Sequence, residues 1–166
     1  MRADIIVLNS KDRKAMRQQL IEQFGVTDLP DKVFFCLNKK ERVYITNRDS
    51  FDLDQEDLRI NAFGLYFGTF MKDGFRLSLE GAQLLKDQLK KNVVAIDEDQ
   101  RNRILKGMDL DVTASDGNHG TVSRLNGEYV ILRHDSDIIG CAKVKDSTIL
   151  NYIPKSKQLR RIFPEE

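Results

Sequence analysis

The stretch that most constrains this chain is residues 92–163. Short β-forming runs surround one short helical run there, and none is long enough to bury a face alone. NVVAID reads as a short apolar strand. DEDQRNRILKG follows as an amphipathic helix: Asp97, Glu98 and Asp99 open it, as the positive end of a helix dipole favours, and Gly107 closes it. Turn signals at DGNHG and NG predict strands between them. EYVILR and IIGCAKV read as strands, the second crossed by Gly140, and ILNYIPKSKQLRRIF ends the run. Several short strands with a short helix hide their apolar sides by curling on themselves, which predicts a small, partly closed β-barrel.

Residues 1–89 have a different rhythm. DIIVLN predicts a strand. Ser10 is positioned to cap KDRKAMRQQLIEQF, where Ala15, Met16, Leu20, Ile21 and Phe24 share one helical face and Gly25 supplies a stop. KVFFCLN and RVYITN predict a hairpin. RDSFDLDQEDL is an acidic loop with room for a helical turn. GLYFGTFM and FRLS flank the turn signal KDG, and Ser78 precedes LEGAQLLKDQLKK, with Leu79, Ala82, Leu85 and Leu89 at helical spacing. The order β, α, ββ, loop, ββ, α predicts an α+β domain with an antiparallel sheet. The character of the chain changes within residues 86–91 without a Pro, Gly or Ser linker. The expected domains are therefore residues 1–89 and 90–166, as a docked pair.

With 166 residues, 40% of them hydrophobic, the chain can bury the core of one ordinary domain or two small ones. The net charge is +1, from 27 basic and 26 acidic residues, so total charge identifies no partner. Local distribution is more telling. Residues 143–163 carry Lys143, Lys145, Lys155, Lys157, Arg160 and Arg161 against Asp146 alone, a net of +5; residues 87–142 carry seven bases and ten acids, a net of −3. Clustered bases release counterions from a phosphate backbone and so favour RNA of any sequence. The competing explanation is that Lys and Arg guard an exposed strand edge. The RNA reading requires these cations to share one face.

Cys36 and Cys141 lie in apolar runs, VFFCL and IIGCA, and read as buried thiols rather than a disulfide scaffold. The apolar run near the start is too short for a signal peptide, and no segment approaches the ~18 apolar residues of a membrane span. A soluble cytoplasmic protein, with no membrane partner, is expected.

Five features in order carry a family resemblance: Gly107 after the helix, Tyr129–Val130, Ile139–Gly140, Lys143–Val144, and Asn151, Pro154 and Lys155 in NYIPK. This half resembles a PUA domain, the RNA-binding module named for pseudouridine synthases and archaeosine transglycosylases. It is similar above all to the PUA-like tail of some RNA cytosine-5 methyltransferases. GLYFG and FRLSLEGAQLL resemble segments that precede that tail, so the likeness spans roughly residues 61–161. The resemblance implies a PUA-like β-barrel after the α+β domain, and RNA binding. Its layout also resembles ribosome-assembly factors built from an N-terminal α/β domain and a PUA domain. The methyltransferase catalytic pattern is missing: no strand runs into a glycine-rich cofactor turn, and neither cysteine stands in the Pro–Cys context of those nucleophiles. A non-enzyme without cofactor is expected. Its partner would be rRNA or tRNA, with ribosome-assembly factors or a separate RNA methyltransferase as further partners.

Within that frame the RNA-contact candidates are Lys106, Gly107, Arg133, Lys143, Lys145, Lys155, Lys157, Arg160 and Arg161. Lys106 and Gly107 qualify because the helix end lines the RNA face of PUA domains; Gly107 also serves as a simple helix stop. Arg133 ends a strand, where solvent or phosphate can meet it. Tyr152 offers a ring for an unpaired base or an anchor for the last strand, the latter being the commoner role. His119 and His134 match no zinc spacing, so no metal or catalytic site is expected. A protein-scaffold role, through the acidic loop and GLYFGTF, is the alternative from a different class.

Overall fold

A computed structural model describes residues 5–37, 40–51 and 64–159. The chain divides into two compact units, Met1–Leu89 and Lys90–Glu166.

The first unit runs β1 (Ile5–Val7), α1 (Ser10–Phe24), β2 (Val33–Leu37), β3 (Arg42–Thr46), α2 (Arg48–Phe51), β4 (Leu65–Met71), β5 (Gly74–Leu77) and α3 (Leu79–Leu84), with a 3-10 turn at Lys86–Gln88. The five strands form one antiparallel sheet in sequence order. Both expected hairpins are present, and β3 alternates as a half-buried strand does, exposing Arg42 and burying Val43 and Ile45. On α1, Met16, Leu20 and Phe24 recur every four residues and are fully buried. Ala15 falls outside that stripe and is exposed. The helix cap is Asn9 rather than Ser10. The Asn9 Oδ1 accepts the Asp12 N–H at 2.9 Å and the Asp12 carboxylate accepts the Asn9 N–H at 3.2 Å, a reciprocal pair that Ser10 is one residue too late to form. Helix α3 is also shorter than its leucine spacing suggests. Gln88, beyond it, exchanges two hydrogen bonds of 2.9 Å with the backbone of Asp28, and that tertiary pairing takes the chain off the helical path.

The second unit runs β6 (Val93–Ala95), α4 (Glu98–Leu105), β7 (Leu110–Asp111), α5 (His119–Arg124), β8 (Tyr129–His134), β9 (Asp137–Lys145) and β10 (Thr148–Asn151), ending in a 3-10 turn at Lys155–Lys157. Its sheet has the order β6-β8-β9-β10-β7 and curls into a half-barrel. Only the β6–β8 pair is parallel. Inward side chains Val130, Leu132, Ala142, Val144 and Ile149 meet Ile104 of α4 and Val122 of α5 in one core. The segment between DGNHG and NG is helix α5, not the expected strand. Val122 and Leu125, three apart, turn one face to the core. Asn118 just before it donates to the Ala95 carbonyl at 2.9 Å and to Gln100 Oε1 at 3.0 Å, seating the helix start against β6 and α4. Gly127 (φ +86) then turns the chain into β8. Among the described residues, no helix is long and apolar enough to cross a membrane.

Candidate nucleic-acid interface

Helix α4 organises the strongest candidate surface. Asp97 caps its start in a reciprocal pair with Gln100. Its other end would leave carbonyls pointing at solvent with the negative end of the helix dipole. They are instead covered by the last residue of β10 and the chain that follows it. Asn151 Nδ2 donates to the carbonyls of Ile104, at 2.7 Å, and Met108, at 3.1 Å. Its Oδ1 accepts the Ile153 N–H at 2.9 Å, and its own N–H donates to Asp109 Oδ1 at 2.8 Å. The Leu159 N–H donates to the Leu105 carbonyl at 2.8 Å, and Gln158 Nε2 donates to the Ile153 carbonyl at 3.0 Å.

Three exposed cations result on one substructure: Lys106 at the helix cap, and Lys155 and Lys157 in the docked segment. Gly107, next to Lys106, has φ +87, and a Cβ there would collide with the Gln158 side chain. It is therefore both a helix stop and the floor on which the basic segment rests.

Lys143 and Lys145 lie together near the end of β9, whereas Arg133 pairs with Ile138 near its start. They alternate with core-facing neighbours on β8 and β9, so they point away from the core. Lys145 is exposed and pairs with Thr148, three residues, or about 10 Å, from Asn151 along β10. Lys143 is half-buried. Its Nζ stands 4.9 Å from the centroid of the Tyr129 ring, a cation–π distance. Tyr129 is only 3% exposed, whereas Tyr152, with its ring 6.5 Å away, keeps 38%. Of the two rings only Tyr152 presents a surface. Arg133 is half-buried, and its Nε is enclosed without a hydrogen-bond partner. The structure thus brings Lys106, Gly107, Lys155 and Lys157 together, sets Lys143 and Lys145 near the end of β9, and leaves Arg133 apart from both groups. Arg160 and Arg161 lie outside the described residues. Sequence reasoning passed over Asn151 and Gln158 as organisers of the site; the NYIPK motif contained the first, without a role.

The remaining candidates have local explanations. His119 opens α5, and His134 Nδ1 lies 2.9 Å from the Ile96 carbonyl. The Asp116 carboxylate accepts the N–H and hydroxyl of Thr113, which lowers its pKa. Both cysteines are free, and burial pushes the Cys36 thiol up. Among the described residues, no three His, Cys, Asp or Glu side chains converge as metal ligands. Asp52, Asp54, Glu56 and Asp57 of the acidic run lie outside the described residues.

Comparison with known proteins agrees with this architecture. Residues 91–160 match the family model described as the methyltransferase RsmF PUA domain. No methyltransferase catalytic domain is matched alongside it. No curated protein matches the chain in sequence. Among solved structures, a conserved PUA domain protein from Thermoplasma acidophilum superposes with a TM-score of 0.54 at 14% identity, covering 89% of this chain and 82% of that one. A hypothetical protein from the hyperthermophilic archaeon Pyrococcus horikoshii OT3 gives 0.50 at 20% identity, covering 83% and 78%. At those identities the likeness is one of fold. PUA domains as a family bind RNA. Over residues 91–160 the second unit is similar to the PUA domain of the methyltransferase RsmF, and its fold is that of the PUA domain protein above.

Proposed function

We propose that this protein binds structured rRNA or tRNA without transforming it, through the basic surface at the end of α4, and serves ribosome biogenesis or RNA modification in the cytoplasm. One observation carries the reading: within the PUA-matched residues, Lys106, Lys155 and Lys157 are gathered on one hydrogen-bonded substructure whose helix carbonyls are already capped. A phosphate approaching there meets ammonium groups and no bare negative helix end. Lys145 extends the contact, Arg133 stands apart from it at the far end of β8, and Lys143 contributes less because its charge already faces the Tyr129 ring. The protein would recognise charge and shape. It would deliver RNA to assembly factors or to a separate methyltransferase.

The test is a salt series. Labelled bulk tRNA and rRNA fragments are titrated with wild type and with Lys155→Ala/Lys157→Ala by fluorescence anisotropy. Affinity should fall steeply with salt, and the slope of log K against log salt should shrink by roughly 0.7–0.9 for each phosphate contact removed. Unchanged affinity and slope in the double variant would remove the lysines from the site.

A scaffold role has one observation in its favour. A cleft of about 420 Å³ in the first unit is lined by the apolar Ile6, Leu8, Ala15 and Phe70 together with Cys36, Asp12, Lys40 and Glu41. If wild type shows no salt-dependent RNA affinity, this reading takes precedence.

A further inference from the structure

The basic surface depends on one neutral side chain. Asn151 is the last residue of β10, and its amide is fully engaged in one direction. Both donor positions of Nδ2 go to carbonyls of the α4 end, Ile104 at 2.7 Å and Met108 at 3.1 Å, and Oδ1 takes the Ile153 N–H at 2.9 Å. This arrangement sets the amide orientation, because a flipped amide would aim Oδ1 at two carbonyl oxygens. The side chain therefore fastens the end of α4 from one side and the exit of β10 from the other. Immediately downstream lie Pro154 and the turn carrying Lys155 and Lys157, and then Leu159, whose N–H returns to Leu105. Asn151 touches the helix carrying Lys106 and the segment carrying the other two lysines.

We infer that Asn151 is a positioning residue for RNA: it contacts no phosphate itself and acts by holding Lys155 and Lys157 at a fixed distance from Lys106. This rests on the RNA reading above. Held cations meet successive phosphates together, whereas cations on a loose tail meet them one at a time and lose conformational freedom on binding. Alanine is the informative replacement, since aspartate would add a charge that itself repels phosphate.

The test is a double-mutant cycle on the full chain with fluorescein-labelled bulk tRNA. Asn151→Ala should weaken binding by about three- to tenfold, and in the Lys155→Ala/Lys157→Ala background the same change should cost less than about twofold. Hydrogen exchange supplies a readout of position: the Leu159 amide should lose protection in Asn151→Ala while those of Val130 and Val144 keep theirs. Gln158→Ala, which removes the bond to Ile153 and the side chain lying against Gly107 but leaves Asn151 in place, provides a milder variant with the same expected direction, should Asn151→Ala fail to fold. Undiminished loss in the lysine-free background, or wild-type affinity in a folded Asn151→Ala with an unprotected Leu159, would overturn the positioning role and leave the RNA reading standing. A wild-type protein without affinity for tRNA or rRNA fragments would overturn both.

Discussion

Leu159 donates its backbone N–H to the carbonyl of Leu105 at 2.8 Å, tying the basic segment after β10 to the last turn of α4. An orphan carbonyl of the helix and an otherwise unpaired amide of the tail satisfy each other. That bond, with those of Asn151, turns a run of charges into a surface with a shape.

Gly107→Ala tests that surface from below. Its φ of +87 disfavours any side chain, and the added methyl meets Gln158. We expect a stability loss of roughly 1–3 kcal/mol in urea unfolding, with weaker tRNA binding. Gly107→Ala/Gln158→Ala should recover part of the stability, because it removes the collision and leaves the backbone strain.

Lys143 and Lys145 should separate under mutation although both sit on the outer side of β9. Lys143→Ala removes an ammonium over Tyr129 and should cost about 0.5–1 kcal/mol. Lys145→Ala, at an exposed strand end, should stay within about 0.5 kcal/mol. Anisotropy with tRNA should show the opposite ranking, the larger loss falling on Lys145→Ala.

Asn118 should be a sensitive polar position in the second unit. Asn118→Ala strips Gln100, itself only 7% exposed, of a 3.0 Å hydrogen bond and leaves the Ala95 carbonyl short of a donor. A loss of about 1–3 kcal/mol is expected. The loss for Asn118→Ala/Gln100→Ala should be smaller than the sum of the single losses, because the two side chains share two hydrogen bonds. Urea midpoints of the four proteins supply the cycle.

Cys36 gives a pH signature. Burial first, and the nearby Asp12 charge second, raise its thiol pKa. The folded state therefore favours the neutral thiol: this contribution to stability is present below the ordinary cysteine pKa and is lost as pH rises through the raised one. Iodoacetamide should label native Cys36 more slowly at neutral pH than a small thiol such as N-acetylcysteine, with the gap closing at alkaline pH. Equal rates at neutral pH would contradict the assignment. Cys141→Ser isolates the signal.

The sheet hairpins were legible because β-structure writes itself in adjacent residues. Val43 and Ile45 alternate with exposed neighbours, and the KDG turn between Met71 and Phe75 has its glycine at φ +144. The helix starts at Ser78 and Asp97 were equally local, each a side chain answering an N–H three residues on. Errors arose where distant residues decide. TVSRL suits a strand by composition and becomes helix because Val122 fills the core of a half-barrel that other strands build. Leu85 and Leu89 keep helical spacing, yet the chain leaves the helix between them to reach Asp28.

For the site, composition and short spacings reveal which residues carry charge, and they put Gly107 at a helix end and Asn151 just before Lys155 and Lys157. That information is held in composition and in spacings of a few residues. Folding in three dimensions is what lets Asn151 reach a carbonyl 47 residues away, joins Lys106 to Lys155 and Lys157, and lays Lys143 against a buried ring. The reason is that a hydrogen bond across such a separation has no periodicity to leave in the chain. Its partners meet only after the sheet has curled and the core has closed.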